Sequence, residues 1–330
     1  MTTDIAHAES TASPAIMARG LARRFGAVQA VDGVDIEIAA GTMFGLLGPD
    51  GAGKSTLIRM LATVLVPSAG DAEICGVSVA RSPGLVTPRI GYMSQRFSMY
   101  PDLTVAENLD FFATIRGVSR PDRRRRAADL LAGMGLAEFA HRRAQTLSGG
   151  MKQKLMLAAT LMHEPDVLLL DEPTTGVDPV SRREFWRILS GLHRAGKTVL
   201  VATPYMDEAE RCERLTFLDR GRIAYEGSPA EIKASIPGEL YELWSQQPRA
   251  ALAAVSGAPG VRSAHLYGEV VRVLWDGDAD AAPTLTDHLA RAGLLDAVVR
   301  PVRVDMEAAF VFLAAGRRAS PDAEATGAGG

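Results

Sequence analysis

An α/β fold on a parallel sheet, followed by a smaller α+β domain, is what this 330-residue chain predicts. Three observations carry that expectation. Between Ile16 and about Pro237, short apolar runs alternate with segments of helical period, the pattern of a parallel sheet covered on both faces. A glycine-rich stretch, GPDGAGKS (48–55), joins one such run to one such helix. After Pro237 the texture changes and no phosphate-type motif recurs, so one large and one small unit fit the length.

In order, MFGLLG (43–48), RIGYMS (89–94), DVLLLD (166–171), TVLVAT (198–203) and LTFLDRG (215–221) read as strands. Residues 53–65, 104–117, 151–162, 180–196 and 205–212 carry the helical segments, and LDRGRIAYEG (218–227) turns back at Arg220-Gly221. The large domain is expected over 15–236 and the small one over 237–316. In the small domain, strand 239–244, helix 249–257, strands 261–268 and 270–275, helix 284–293 and strand 297–304 give a βαββαβ order. That order is ferredoxin-like, and helix 306–316 completes it. The ends, 1–14 and 317–330, are small, polar and rich in Gly and Ala, and are expected to be disordered tails.

Composition narrows the function classes. A net charge of −3 provides no global attraction to nucleic acid. The basic run in RPDRRRRAADLLAGMG (120–135) is expected to be a solvated helix face rather than a nucleic-acid patch. Cys75 and Cys212 make neither a disulfide framework nor a zinc cluster, so a reduced, cytosolic chain is the default. The N-terminus lacks the regions of a secretory signal, and LMLAATLM (155–162) falls well short of the ~18 residues that span a bilayer. A membrane role is therefore expected to come through a partner.

Lysine is scarce, at five residues, so one at a chemical position stands out. GPDGAGKS fits G-x-x-x-x-G-K-[ST] between an apolar strand and a helix. Gly48, Gly51 and Gly53, with Pro49, Asp50 and Ala52 between them, let backbone N–H groups converge on phosphate oxygens. Lys54 reaches the terminal phosphates, Ser55 offers its hydroxyl to Mg²⁺, and Thr56 holds a neighbouring phosphate. In DVLLLDEPTTGVDP (166–179) a strand ends in Asp171, expected to hold Mg²⁺ through water. Glu172 follows as the general-base candidate for an attacking water.

LSGGMKQKL (147–155) opens a helix with a second anion-binding turn. One γ-phosphate needs only one such site, whereas two chains arranged head-to-tail need both. With these motifs in order, the chain resembles the ATPase subunits of ABC transporters over about residues 15–235. The resemblance implies a parallel-sheet core, an antiparallel β part and a helical subdomain at about 95–165. It also implies a dimer with two sandwiched ATP molecules, each closed by Ser148, Gly149 and Gly150 of the opposite subunit. Phe25, 29 residues before Lys54, falls where the family stacks an aromatic on adenine, ordinary core packing being the other reading. Gln95 occupies the position that senses Mg²⁺ or the water and links to the membrane partner, and Asp178 the one that communicates across the dimer.

YPDLTVAENL, LSGGMKQKL, DEPTTGVDP and the terminal MEAAFVFL look like drug-resistance-type exporter ATPases. These subunits serve separate permeases of the type-2 ABC exporter class and sit on the inner face of the cell membrane. The resemblance leaves homodimer or heterodimer open, and the transported substrate is not readable.

Two positions depart from the family pattern. Asp50 stands where asparagine is usual. Pro204, in VATPYMDEAE (201–210), stands where a histidine contacts the γ-phosphate. Thr203 is expected to cap the following helix, with proline at its first position. Losing one preorganised donor often costs ~10²–10³ in rate, which slows turnover without abolishing it. An ATP-gated regulatory subunit with slow hydrolysis, paired with a different ATPase subunit in one variant, is therefore the alternative to an exporter motor. A soluble ABC ATPase acting on ribosomes or DNA would generally carry two ATPase units or a coiled-coil insertion, and neither is present here.

Overall fold

The computed structural model describes residues 14–277 and 280–318. The expected tails lie outside the described residues except for Pro14, which begins a strand, and residues 317 and 318, which end a helix. Two compact units divide after Ser228.

The first unit starts with β1 (Pro14–Phe25) and β2 (Val28–Ala39), paired antiparallel. β3 (Met43–Leu47) and α1 (Lys54–Leu61) follow, then β4 (Ala69–Ile74), β5 (Val77–Ser78), α2 (Pro83–Val86) and β6 (Ile90–Met93). Three helices come next: α3 (Val105–Ile115), α4 (Arg120–Gly133) and α5 (Gly149–Leu161). The unit closes with β7 (Val167–Asp171), α6 (Pro179–Arg194), β8 (Thr198–Thr203), α7 (Met206–Ala209), β9 (Arg214–Asp219) and β10 (Arg222–Gly227).

These elements make two sheets. One is antiparallel in the order β2-β1-β4-β5, and the other has six strands in the order β10-β9-β3-β8-β7-β6. In the six-stranded sheet every pairing from β9 to β6 is parallel, and only the edge strand β10 runs antiparallel. β3, β7 and β8 are buried along their whole length, as a parallel sheet with two covered faces requires. One core cluster joins the antiparallel sheet and α1 through Ile16, Ile36, Leu57, Leu169 and Leu200. The other lies under the helices and holds Leu109, Leu155, Leu168, Phe185 and Trp186.

Local chemistry sets the helix starts. Thr104 and Glu107 form a reciprocal capping box on α3. Ser119 caps α4, and the Asp178 carboxylate accepts from Val180 and Ser181 N–H at the start of α6. On and around α4, Arg123 pairs with Asp110, Arg125 with Asp122, and Arg126 with Glu164, so these arginines are matched by neighbouring acids.

The second unit begins with α8 (Pro229–Ala234), ahead of the boundary expected at 236. It continues through β11 (Glu239–Trp244), α9 (Pro248–Val255), β12 (Val261–Tyr267), β13 (Val270–Trp275), α10 (Ala281–Arg291), β14 (Val298–Val302) and α11 (Met306–Arg318). The sheet order β12-β13-β11-β14 is antiparallel throughout, with β13 inserted between the strands flanking α9, the split βαβ arrangement. Leu243, Val271 and Val273 meet Val255, Leu285 and Leu289 in its core.

Truncating Leu169, fully buried in β7, tests the first core. Leu169→Ala is expected to cost the first unit about 2–5 kcal/mol in urea unfolding. A loss well under 1 kcal/mol would mean that the sheet does not depend on this contact.

Candidate functional site

The carboxyl ends of β3, β7 and β8 lie side by side, where a parallel sheet presents its ligands. Leu47 pairs with Thr203 across one strand boundary and Asp171 with Ala202 across the next. The segments following these strands, with Gln95 after β6, line one cleft of about 550 Å³ that includes Asp50, Gly51, Ala52, Gly53, Lys54, Ser55, Thr56 and Glu172.

Backbone shape makes the loop. Gly48 has φ of +150° and Gly53 of +104°. A Cβ at Gly48 would lie 2.2 Å from Leu218 O, and one at Gly53 2.3 Å from Ala30 O. Gly53 leads into α1 with no side chain capping its first N–H groups, so those donors remain available to an anion. Lys54 is buried, and its Nζ donates to Gly48 O at 2.7 Å and to Pro49 O at 3.0 Å. The same Nζ is 3.7 Å from Glu172 Oε1. Asp50 is exposed and lines the cleft.

The acids meet this loop from β7. Ser55 Oγ donates to Asp171 Oδ1 at 2.8 Å, while Asp171 Oδ2 is buried without a partner. Burial raises the Asp171 carboxyl above its ordinary range, opposed by the Ser55 bond and the Arg59 charge. A hydroxyl and an orphaned carboxylate oxygen are hard donors that fit Mg²⁺, which takes its other ligands from water and phosphate. No cluster of three or more His, Cys, Asp or Glu that could hold a metal occurs among the described residues.

Glu172 adopts φ of +49°, a left-handed conformation uncommon for a side chain with a Cβ, and its N–H is held by Ala202 O at 3.0 Å. Its Oε2 accepts from Gln95 Nε2 at 2.8 Å and from Thr175 Oγ1 at 3.2 Å. Lysine, glutamine and threonine thus converge on one carboxylate beside the open helix end.

Other expected residues lie elsewhere. Phe25 does not line the cleft; it is 45% exposed, with the Arg23 guanidinium 4.7 Å over its ring. This excludes the core-packing reading of Phe25. Ser148, Gly149 and Gly150 form the start of α5, away from the cleft lining. Ser148 accepts from Met151 N–H, and a Cβ on Gly150 would meet Ser181 Cβ at 2.5 Å. Asp178, the α6 cap, is exposed, and its hydrogen bonds from Ser181 hold its carboxyl below the ordinary range.

The segment at Pro204 differs from expectation. α7 begins at Met206 with Tyr205 as its N-cap, so proline precedes the helix instead of opening it. Thr203 contributes differently, its hydroxyl accepting from Tyr205 N–H at 3.1 Å. Pro204 and Tyr205 both line the cleft, and no histidine does among the described residues. His163 Nε2 lies 2.8 Å from Ile90 O, and burial lowers its basicity; His193 faces Glu213 at 3.3 Å. Cys212 is buried, its thiol pushed up to about 12 by desolvation.

Sequence reasoning missed Thr175 and Tyr205 at the cleft, and the acid Glu208 behind it. The hydroxyl pair directly after Glu172-Pro173 was the available signal.

Comparison with known proteins bears on this geometry. The family model described as ABC transporter matches residues 31–175. The chain is 44% identical over 230 residues to the daunorubicin/doxorubicin resistance ATP-binding protein DrrA of Streptomyces peucetius, covering 69% of this chain and 70% of that protein. It is 43% identical over 219 residues to the probable multidrug ABC transporter ATP-binding protein YbhF of Escherichia coli (strain K12), covering 66% of this chain. That match spans only 38% of YbhF. Among solved structures, the dimeric post-hydrolysis state of the ATP-binding cassette MJ0796 bound to ADP and Pi superposes with a TM-score of 0.60. It shows 27% identity and covers 64% of this chain and 98% of that one.

The loop geometry generates a binding prediction. Gly53→Ala sets a methyl 2.3 Å from Ala30 O at a φ of +104°. Displacing the loop is expected to weaken binding of a fluorescent ATP analogue by at least about tenfold. Unchanged affinity in a titration would show that the loop does not rely on this glycine.

Proposed function

Because the chain belongs to the ABC transporter family of ATP-binding proteins, we propose that it is the ATP-hydrolysing motor subunit of an exporter. The observation that carries the reading is the convergence of Lys54, Gln95 and Thr175 on Glu172 beside the uncapped start of α1.

The triphosphate lies along Gly48–Thr56, its oxygens taking the N–H groups that no side chain caps. Lys54 exchanges its bonds to Gly48 and Pro49 for phosphate oxygens. Ser55 and Asp171, with Gln95, would hold Mg²⁺, which would neutralise charge on the phosphates. Glu172 takes the proton of the attacking water, with Gln95 and Thr175 fixing its Oε2. Phe25 supplies a face on which adenine stacks, the ring being 45% exposed with Arg23 over one side.

Ser148, Gly149 and Gly150 face a second subunit's nucleotide, and Asp178 lies beside that contact. The related cassette solved as a dimer bound to ADP and Pi supports a nucleotide-binding dimer, which we read as head-to-tail with two ATP. The relatives named for drug resistance and multidrug transport support an exporter role, and we read the separate permease as one of the type-2 class. The Gln95–Leu109 region transmits closure to that permease at the inner face of the membrane. No described helix is long and apolar enough to cross a membrane.

The regulatory alternative is not favoured. Pro204 removes one donor, yet the loop, the metal-binding oxygens and the general base are all in place.

Steady-state ATP hydrolysis by the purified chain tests the proposal. Glu172→Gln is expected to lower kcat by ~10²–10⁴, and Pro204→His to raise it by about tenfold or more through the added donor. A wild-type rate no higher than that of Glu172→Gln would sink the motor reading.

A further inference from the structure

Behind the cleft lies a carboxylate that the chemistry above does not use. Glu208, in α7, is fully buried. Its Oε1 accepts from Thr174 Oγ1 at 2.6 Å and its Oε2 from Thr203 Oγ1 at 2.6 Å. Both threonines are themselves buried, at 2% and 0% exposure. Removing a carboxylate from water is costly unless it is well bonded, so this pair of short bonds is a specific arrangement.

Its position in the chain gives the arrangement a consequence. Thr174 belongs to the turn Glu172–Val177, closed by Thr175 N–H to Glu172 O and by Val177 N–H to Thr174 O. That turn carries both the base and Thr175, whose hydroxyl bonds the base. Thr203 ends β8 and precedes Pro204, and its hydroxyl also takes the Tyr205 N–H. Glu208 therefore joins the turn that bears the base to the segment that carries position 204. A second tie, Glu172 N–H to Ala202 O, runs between the same two segments. Pro204 has no side-chain donor, so both of these ties bypass it.

We propose that Glu208 is a positioning residue for hydrolysis. By holding Thr174 and Thr203 together, it fixes Glu172 in its left-handed conformation and sets the direction of its carboxylate. The inference rests on the hydrolase reading and deepens it, naming what orients the base.

The test uses the full chain with MgATP and the variants Thr174→Val, Thr203→Val and Thr174→Ser. The valines keep the shape and remove the hydroxyl, and the serine restores it. A displaced base of this kind is expected to lower kcat by about tenfold to a hundredfold in each valine variant, with KM within about twofold. Thr174→Ser should recover most of the rate. Hydrogen exchange provides a readout independent of activity, in which the Glu172 amide should exchange about tenfold faster in Thr174→Val while the rest of β7 is unchanged.

Unchanged exchange overturns the proposal, and so does faster exchange with unchanged kcat. A kcat loss that Thr174→Ser does not recover, or that comes with an equal rise in KM and a lower Tm, marks a merely structural contact and also overturns it. Wild type no faster than Glu172→Gln strikes the hydrolase reading itself and takes the positioning role with it. The exchange data separate that outcome from a failure of the tie alone.

Discussion

The parallel register of β3, β8 and β7 is the constraint on which the rest of this molecule depends. Leu47 sits level with Thr203, and Ala202 with Asp171. Three chain segments far apart in sequence therefore leave the sheet at one edge, within hydrogen-bond reach of each other. The phosphate loop, the acids and the Pro204 segment need no further device to meet. Their strands are buried on both faces, so a slip of one residue would break two hydrophobic cores at once. The fold locks the site by making its misalignment expensive.

Within that frame the sequence is most legible where local and global signals agree. β8 and β11 coincide with the runs read as strands, because each is a strongly apolar or alternating run bounded by turn residues. The first forty residues were harder. β1 and β2 are long, but their pairing shifts register between Ala18 and Leu21 and again between Leu21 and Arg23, with Gly20 and Gly33 at positive φ. Each shift resets the inside–outside alternation of β1, whereas Val34 to Ala39 of β2 do alternate buried and exposed, a signal that went unread. The antiparallel part was reached only through the family resemblance.

The site was legible to a similar depth. Gly48 to Thr56, Asp171 and Glu172 announce themselves because the chemistry needs those residue types at that spacing. Thr175 and Glu208 did not, since a threonine beside an acid, or one more glutamate on a short helix, has no meaning until the fold brings partners to it. The start of α7 was misplaced for a related reason. Thr203 looked like a cap from its place in the sequence, yet its hydroxyl is engaged by Glu208 and Tyr205 N–H. Tertiary bonding overrode the local preference.

The packing of Gly150 against Ser181 has a mechanical side. The absence of a side chain lets α5 lie against the first turn of α6, and Lys154 and Glu184 bind the same helices at 2.6 Å further along. The serine–glycine turn and the aspartate-capped helix are thus two prongs of one stiff piece. A force applied to either one is therefore carried to the other, and the two cannot be displaced independently.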